Sequence, residues 1–169
     1  MAQETYTPAH VANFFLDKAH EEGRAIDPVK LQELVYIAYG WVLAVLDRRL
    51  FEEPVEAWRH GPVIPSLYHE FKHYRWQPIR EYALEVDWED HDFVEPRIPP
   101  DDHNLQVVLG KVWNVYKRFS GWALREKLHQ AGTPWAAVHE ENARHKQIPD
   151  NLIRDHFTRK INEYLDAAA

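Results

Sequence analysis

Residues 30–45 read KLQELVYIAYGWVLAV, and this stretch decides the fold of the 169-residue chain. Asp27 and Pro28 stand just before it, and such a pair is typical of a helix N-cap followed by the first helical position. Apolar side chains recur at helical spacing and also fill the remaining faces, so the predicted helix is apolar nearly all round. We therefore expect it to lie at the centre of the molecule, covered on all sides by other elements.

Six more helices are predicted around this central helix. Two of them cover about residues 65–74 and a segment that begins near Asn104. The other four have start signals of the Ser/Thr/Asp and Pro type, at Thr7-Pro8, Ser120, Thr133-Pro134 and Asp150. The predicted fold class is mainly α: a compact bundle of about seven helices, forming one domain over residues 1–169 with a core from about 7 to 157.

A small β element is predicted at about residues 55–58 and 81–88. In the second stretch an apolar set alternates with a mostly acidic set: Tyr82, Leu84, Val86 and Trp88 against Glu81, Ala83, Glu85 and Asp87. A period of two is typical of a half-buried strand, and we expect the apolar face to point inward. Residues 59–66, RHGPVIPS, are predicted to form a shaped loop, and residues 89–102 an exposed acidic connection.

Composition excludes several classes of protein. Hydrophobic residues make up 45% of the chain and aromatics 13%, which argues against disorder. The lack of cysteine excludes disulfides, thiolate metal sites and cysteine nucleophiles. The net charge of −7 disfavours direct nucleic-acid binding. The N terminus lacks a signal-peptide pattern, and the best apolar run starts with Glu33, so we expect no membrane span and a cytoplasmic location.

Residues 69–73, HEFKH, match the H-E-x-x-H pattern of zinc metalloproteases. On a helical wheel, however, His69 and His73 lie opposite the apolar cluster of Leu67, Phe71 and Tyr74. The extended motif would place Gly at position 76 and His at position 79, where this chain has Trp and Ile. We interpret the two histidines as a solvated helix face, and keep adventitious zinc binding and a zinc hydrolase as alternatives.

No other catalytic motif is present, since the sequence has neither a P-loop nor a G-x-S-x-G pattern. We therefore predict no enzymatic activity, no catalytic residue and no cofactor. The segment EPVEAWRHGPVIPSLYHEFK at 53–72 instead concentrates Trp, Arg and Tyr beside Gly61 and Pro62. Such a loop either simply joins a strand to a helix or presents the residue types that dominate protein interfaces.

Two segments resemble the Panacea-domain family of SocA-like antitoxins. The first combines the Lys-Leu-Gln helix with Pro-x-Glu-Ala-Trp, Gly-Pro-Val and Leu-Tyr-x-x-x-Lys, over residues 30–72. The second is LHQAGTPW at 128–135. The resemblance extends from about Thr7 to Phe157. It marks as structural signature residues Lys30, Gln32, Trp41, Pro54, Gly61, Pro62, His129 and Pro134.

The resemblance implies a non-catalytic antitoxin of a bacterial, phage or prophage-associated toxin-antitoxin pair, which binds and blocks a toxin encoded by the adjacent gene. The net charge would suit a basic toxin. A protease adaptor that recognises its client through residues 81–102 is the alternative. No nucleic-acid or membrane partner is implied, and the oligomeric state stays open, a homodimer included. The predicted partner-binding residues are Trp58, Arg59, His60, Tyr68, His69 and Trp135.

Overall fold

The structure, a computed structural model, describes residues 5–143 and 145–168. These residues form seven α-helices, one short 3₁₀-helix and two antiparallel hairpins of two strands each. In chain order the elements are α1 (Pro8–Glu21), α2 (Pro28–Leu46), β1 (Glu56–Trp58), β2 (Gly61–Val63), α3 (Pro65–Phe71), the 3₁₀-helix (Lys72–Tyr74), β3 (Glu85–Asp87), β4 (Asp92–Val94), α4 (His103–Tyr116), α5 (Gly121–Leu128), α6 (Pro134–Val138) and α7 (Asp150–Ala168).

Helix α2 is the centre of the bundle, as predicted. Helices α1, α3, α4, α5 and α7 pack around it, and strand β2 reaches it as well. Every residue from 31 to 40 is buried, because each face of the helix meets another element. Length and composition alone would let α2 cross a membrane, but 72% of its most apolar window is buried inside this fold. The helix therefore serves as the core of the domain.

Three of the predicted N-caps bond to the first turn of their helices, whereas Asp150 is itself the first residue of α7. The Asp27 carboxylate accepts a 2.8 Å hydrogen bond from the backbone N–H of Lys30 at the start of α2. The hydroxyls of Ser120 and Thr133 accept equivalent bonds at the starts of α5 and α6, at 3.1 and 3.3 Å. These side chains satisfy backbone donors that the first turn of a helix leaves unpaired. Helix positions are thus set by local sequence at these three places.

Two glycines allow helices to approach α2 closely. An ideal Cβ on Gly40 would lie 2.1 Å from the ring of Phe157, so α7 packs directly over the backbone of α2 at this point. A Cβ on Gly121 would lie 2.6 Å from the backbone nitrogen of Lys30, which brings α5 against the first turn of α2. The second contact places α5 beside the start of the central helix.

The first hairpin shows that residues 59–66, predicted as a loop, contain a strand. Strand β1 lies where the first β segment was predicted, and it pairs with β2 in the register Ala57 to Pro62 and Trp58 to Gly61. Arg59 and His60 form the two-residue turn. Gly61 has a φ of +137°, a region open to glycine, and this lets the chain turn back at once. Glycine and proline are depleted in strands, which is why the pattern favoured a loop.

The second hairpin corrects the prediction for residues 81–88. Only Glu85–Asp87 are in a strand, and the apolar face points outward: Trp88 is 80% exposed, whereas Ala83 is 1% exposed. The side chain of Asn13 fixes this orientation, because it accepts a hydrogen bond from the Ala83 N–H at 2.8 Å and donates one to the Ala83 carbonyl at 3.0 Å. The connection 89–102 supplies the partner strand β4. Alternation identifies two faces of a strand but not which one meets the core.

Candidate partner-binding site

Trp58, which is partly buried, and Tyr68, which is exposed, form an aromatic pair at the junction of the first hairpin and α3. Their ring centroids lie 4.9 Å apart with the rings near perpendicular, a preferred aromatic geometry. The indole N–H of Trp58 donates to the Glu56 carboxylate at 2.8 Å, which orients the ring. Tyr68 is 44% exposed. A large aromatic surface is thus held in place beside open solvent.

Trp135 lies behind this pair and is only partly exposed. Its indole N–H donates a 2.6 Å hydrogen bond to the backbone carbonyl of Trp58. Its ring stacks on His139 at 4.4 Å and meets the edge of His129 at 5.6 Å. His129 in turn contacts the carbonyl oxygen of Arg125 at 2.5 Å through Nδ1. The structure therefore places Trp135 as a support for the position of Trp58.

A pocket of about 330 Å³ opens next to the aromatic pair, between the first turns of α2, the first hairpin, α3 and α5. A volume of this size is at the lower end of the range typical of ligand pockets. The residues that line it are Pro28, Val29, Gln32, Glu33, Trp58, Arg59, His60, Val63, Leu67, Tyr68, Lys72, Arg75 and Arg125.

The charge of this pocket differs from that of the chain. Four cationic side chains line it, on Arg59, Lys72, Arg75 and Arg125, against the single carboxyl of Glu33. Arg59, Lys72 and Arg75 form no ion pair with any residue that the structure describes. A local cationic surface therefore exists on a chain whose net charge is −7. Clefts of one charge sign attract partners of the opposite sign.

Glu33 is the more deeply buried of the two buried polar residues in the pocket lining, the other being Gln32. The side chain of Glu33 is 2% exposed, and its Oε2 has no hydrogen-bond partner among the described residues. The nearest cation is Arg125, with Nε 4.0 Å from Oε1. Burial raises the pKa of Glu33 to about 8, and the charge of Arg125 only partly opposes this. At neutral pH the carboxyl is therefore mostly protonated, so the pocket keeps its positive charge.

The pKa of His60 is also shifted by its surroundings at the pocket. This residue is exposed at the turn of the first hairpin and lines the pocket. Partial desolvation lowers the pKa of His60, and the positive charges of Arg125 and Arg59 and the neighbouring His129 lower it further. The imidazole is therefore neutral at pH 7 and offers both a hydrogen-bond donor and an acceptor at the pocket rim.

The H-E-x-x-H segment does not form one helical face. Helix α3 ends at Phe71, and His73 belongs to the 3₁₀-helix that follows. Both histidines are exposed, whereas Leu67 and Phe71 are buried. Glu70 accepts a 3.2 Å hydrogen bond from the backbone N–H of Leu84. In the part of the chain that the structure describes, no group of three or more His, Cys, Asp or Glu side chains is arranged to hold a metal ion.

The remaining signature residues lie both near the site and away from it. Lys30 donates to the carbonyl of Lys117 at 2.5 Å, and Gln32 donates to the carbonyl of Ile64 at 3.2 Å. Pro62 lies in β2 opposite Ala57, and Pro134 opens α6. Trp41 is partly buried on another face of α2, and Pro54 is exposed just before β1.

Four of the predicted partner-binding residues line the pocket, namely Trp58, Arg59, His60 and Tyr68, but its four other charged residues were not predicted as site residues. Arg75 and Arg125 carry no pattern that marks them, and Lys72 was noted only as the last residue of the Leu-Tyr-x-x-x-Lys signature. The three side chains come together only in the fold. Glu33 did carry a signal: a carboxyl on a helix that is apolar nearly all round must be buried. His69 lies beside Tyr68, with ring centroids 5.4 Å apart, outside the pocket lining.

Comparison with known proteins identifies the family. Residues 31–136 match the family model described as antitoxin SocA-like, Panacea domain. A curated relative, Antitoxin SocA of Caulobacter vibrioides (strain NA1000 / CB15N), is 31% identical over 153 residues, which cover 87% of this chain and 80% of the relative. No solved structure matches. The matched range contains most of the pocket, and the chain belongs to the SocA-like, Panacea-domain family of antitoxins.

Proposed function

We propose that this protein neutralises a cognate toxin by binding it directly through the surface around Trp58 and Tyr68. Family membership supports the antitoxin role. The observation that carries the site is the aromatic pair beside a cationic pocket, with Trp58 held from behind by Trp135. Aromatic and arginine side chains at the edge of a pocket dominate the binding energy of protein interfaces. The toxin is expected to be the product of the adjacent gene, in a cytoplasmic and prophage-associated pair.

This function needs no catalysis, cofactor or metal from the antitoxin. A toxin is blocked when its own active surface is covered or its active conformation is disfavoured, and both effects require only binding energy. The proposal therefore makes no use of the H-E-x-x-H segment. Nucleic acid and membrane are not proposed as partners, and the proposed complex can form with either a monomer or a homodimer of this chain.

Growth rescue tests the proposal. The neighbouring open reading frame is expressed from an inducible promoter, with and without this protein, and with Trp58→Ala/Tyr68→Ala. We expect wild-type protein to restore growth and the double variant to fail, while thermal melts show that the variant stays folded. Trp122→Ala is the matched control, because Trp122 is 67% exposed on α5 outside the pocket lining. A folded double variant that still restores growth would move the interface elsewhere, and a neighbour that is harmless would contradict the antitoxin role.

A protease adaptor is the second candidate function, and the second hairpin favours it. Large apolar side chains are exposed there beside carboxylates, and none of them lines the pocket: Leu84, Val86, Trp88, Phe93 and Val94. An adaptor must bind its client and its protease through separate surfaces, and this hairpin and the pocket are separate. The half-life of the toxin after a block of translation distinguishes the two functions. An adaptor shortens it and loses this effect with Trp88→Ser/Phe93→Ser, whereas a plain inhibitor leaves it unchanged or lengthens it.

A further inference from the structure

We propose that the pocket beside Trp58 receives a carboxylate side chain of the toxin, an aspartate or a glutamate whose neighbouring apolar residue packs on the Trp58–Tyr68 pair. This inference rests on the proposed function and names the chemistry of the contact. The residue of the toxin that binds in the pocket is thus acidic. The toxin as a whole can still be basic, which is what the net charge of the antitoxin suits.

The positive charge of the pocket favours a negatively charged ligand. Arg59, Lys72 and Arg75 line the pocket without an ion-pair partner in residues 5–143 and 145–168, and Arg125 has only the distant contact with Glu33. Four cations around one opening repel each other when the site is empty. A carboxylate that enters relieves this repulsion and accepts bidentate hydrogen bonds from a guanidinium, the geometry that arginine provides. A cationic ligand would add to the repulsion.

At its buried end, the pocket favours a ligand with a single carboxylate group. Glu33 lines the pocket from α2, and its Oε2 has no described partner. A protonated carboxyl can donate one hydrogen bond, and an incoming carboxylate oxygen accepts it at a distance where two ionised carboxylates would repel. Gln32 already uses its amide group to donate one hydrogen bond to the carbonyl of Ile64. The available donors on the walls and at the buried end thus suit an acceptor-only group.

The rim of the pocket favours an apolar residue next to the carboxylate in the ligand. Trp58 and Tyr68 expose aromatic surface next to the opening, and Val63 and Leu67 complete an apolar wall. A peptide segment with an acidic residue flanked by an apolar one would place the charge among the cations and the apolar side chain on this wall. A free inorganic anion would leave the wall uncovered. The combination points to a protein ligand.

The test uses the purified, inactivated toxin and the antitoxin variants. Calorimetry measures the affinity, and surface plasmon resonance measures the association and dissociation rates. Lys72→Gln/Arg75→Gln removes two pocket charges from exposed positions and leaves the core intact. Arg80→Gln/Lys111→Gln removes two exposed charges outside the pocket and changes the net charge equally. We expect the pocket variant to bind about tenfold more weakly or worse, with most of the change in the dissociation rate, and the control to bind within about twofold of wild type.

A reciprocal scan identifies the acidic residue. Each Asp and Glu of the toxin is replaced by Asn or Gln, and one replacement should weaken binding to the wild type while making little further difference to Lys72→Gln/Arg75→Gln, the signature of direct coupling in a double-mutant cycle. Equal weakening by both charge-removing antitoxin variants, or no coupled acidic residue, would overturn the carboxylate proposal while leaving the antitoxin function standing. A neighbour that neither arrests growth nor binds would overturn both.

Discussion

The indole N–H of Trp135 donates a 2.6 Å hydrogen bond to the carbonyl oxygen of Trp58, which lies 77 residues earlier in the chain. This bond joins the two sequence segments that resemble the antitoxin family, the Glu-Ala-Trp strand and the Gly-Thr-Pro-Trp helix start. Strand β1 has its own partner β2 on one side, and α6 holds it from another direction. The orientation of the Trp58 ring therefore depends on both signatures being present in one fold.

Trp135→Phe should weaken the site without touching its surface. The substitution keeps an aromatic ring but removes the donor, so the Trp58 carbonyl loses this partner at a cost of about 0.5–1.5 kcal/mol in unfolding free energy. Toxin affinity should fall, but by less than in Trp58→Ala, because the contact residue is still present. Chemical denaturation and calorimetry provide the two measurements. Trp122→Phe is the control, and an equal loss of stability in both variants would contradict the role of the hydrogen bond.

Gly40→Ala should destabilise the bundle by about 1–3 kcal/mol. The new methyl group would lie about 2.1 Å from the ring of Phe157, so either α7 or the ring must shift. The intrinsic helix preference of alanine, up to about 1 kcal/mol, offsets only part of this cost. Denaturant unfolding measures the difference.

Gly110→Ala is the matched control for that substitution. Gly110 lies within α4, and an added Cβ there meets no atom within 4 Å. This variant should be as stable as the wild type or more stable by up to about 1 kcal/mol. A Gly40→Ala protein as stable as the Gly110→Ala protein would mean that α7 does not pack over α2 as described.

Glu33 should make the protein less stable as pH rises. Its pKa is about 8 in the folded protein, whereas an ordinary glutamate titrates near 4.5, so between these values the folded state retains a proton that the unfolded chain has lost. Its stabilising effect is therefore complete below pH 4.5 and is lost as pH rises through about 8. Each unit of pKa difference corresponds to about 1.4 kcal/mol.

Glu33→Gln should flatten that part of the stability profile. The amide resembles the protonated carboxyl in shape but cannot ionise, so the variant should be more stable than wild type at pH 8 and above, and similar near pH 4.5. Urea unfolding at a series of pH values measures this. Glu163→Gln, at an exposed position on α7, should leave the profile unchanged. A wild-type stability that does not decline between pH 5 and 8 relative to Glu33→Gln would contradict the buried, protonated state.

His156 should act in the opposite direction, on the acid side. Burial lowers the pKa of His156 to about 4, and the nearby Lys160 and Arg159 contribute. The unfolded chain binds a proton near pH 6.5 and the folded protein only near pH 4, so the stability present above 6.5 is lost as pH falls between these values. The loss is up to about 3 kcal/mol, at about 1.4 kcal/mol per unit. His156→Gln should remove this part of the slope, as followed by urea unfolding from pH 7 to 4, whereas an unchanged slope would argue against the depressed pKa.

Zinc should not stabilise the protein through the H-E-x-x-H segment. His69 and His73 lie on different kinds of helix, and within the described residues no third ligand joins them. A ligand that binds the folded state raises the melting temperature in proportion to the logarithm of its concentration over its dissociation constant. One equivalent of zinc should leave the melting temperature unchanged. A rise that His69→Ala abolishes would show a genuine site.

Local sequence was sufficient to predict the central helix, the caps at Asp27, Ser120 and Thr133, and the outward position of the two histidines. An all-round apolar stretch of this length has to be buried on every side, and α2 is. Asp27, Ser120 and Thr133 act on donors three residues away, so neighbouring residues determine the result. The aromatic pair of the candidate site comes from one contiguous segment, residues 58–68, and its role in binding stays a prediction.

Tertiary structure decided the rest, because the decisive contacts join residues that are far apart in the chain. Asn13 turns Ala83 inward and thereby sends the apolar face of the second hairpin outward, which no alternation of side chains can indicate. The cationic pocket combines residues from α2, the first hairpin, α3, the segment after it and α5. Spacing along the chain determines which side chains share a face of one element, whereas the charge of a pocket depends on which faces of several elements meet.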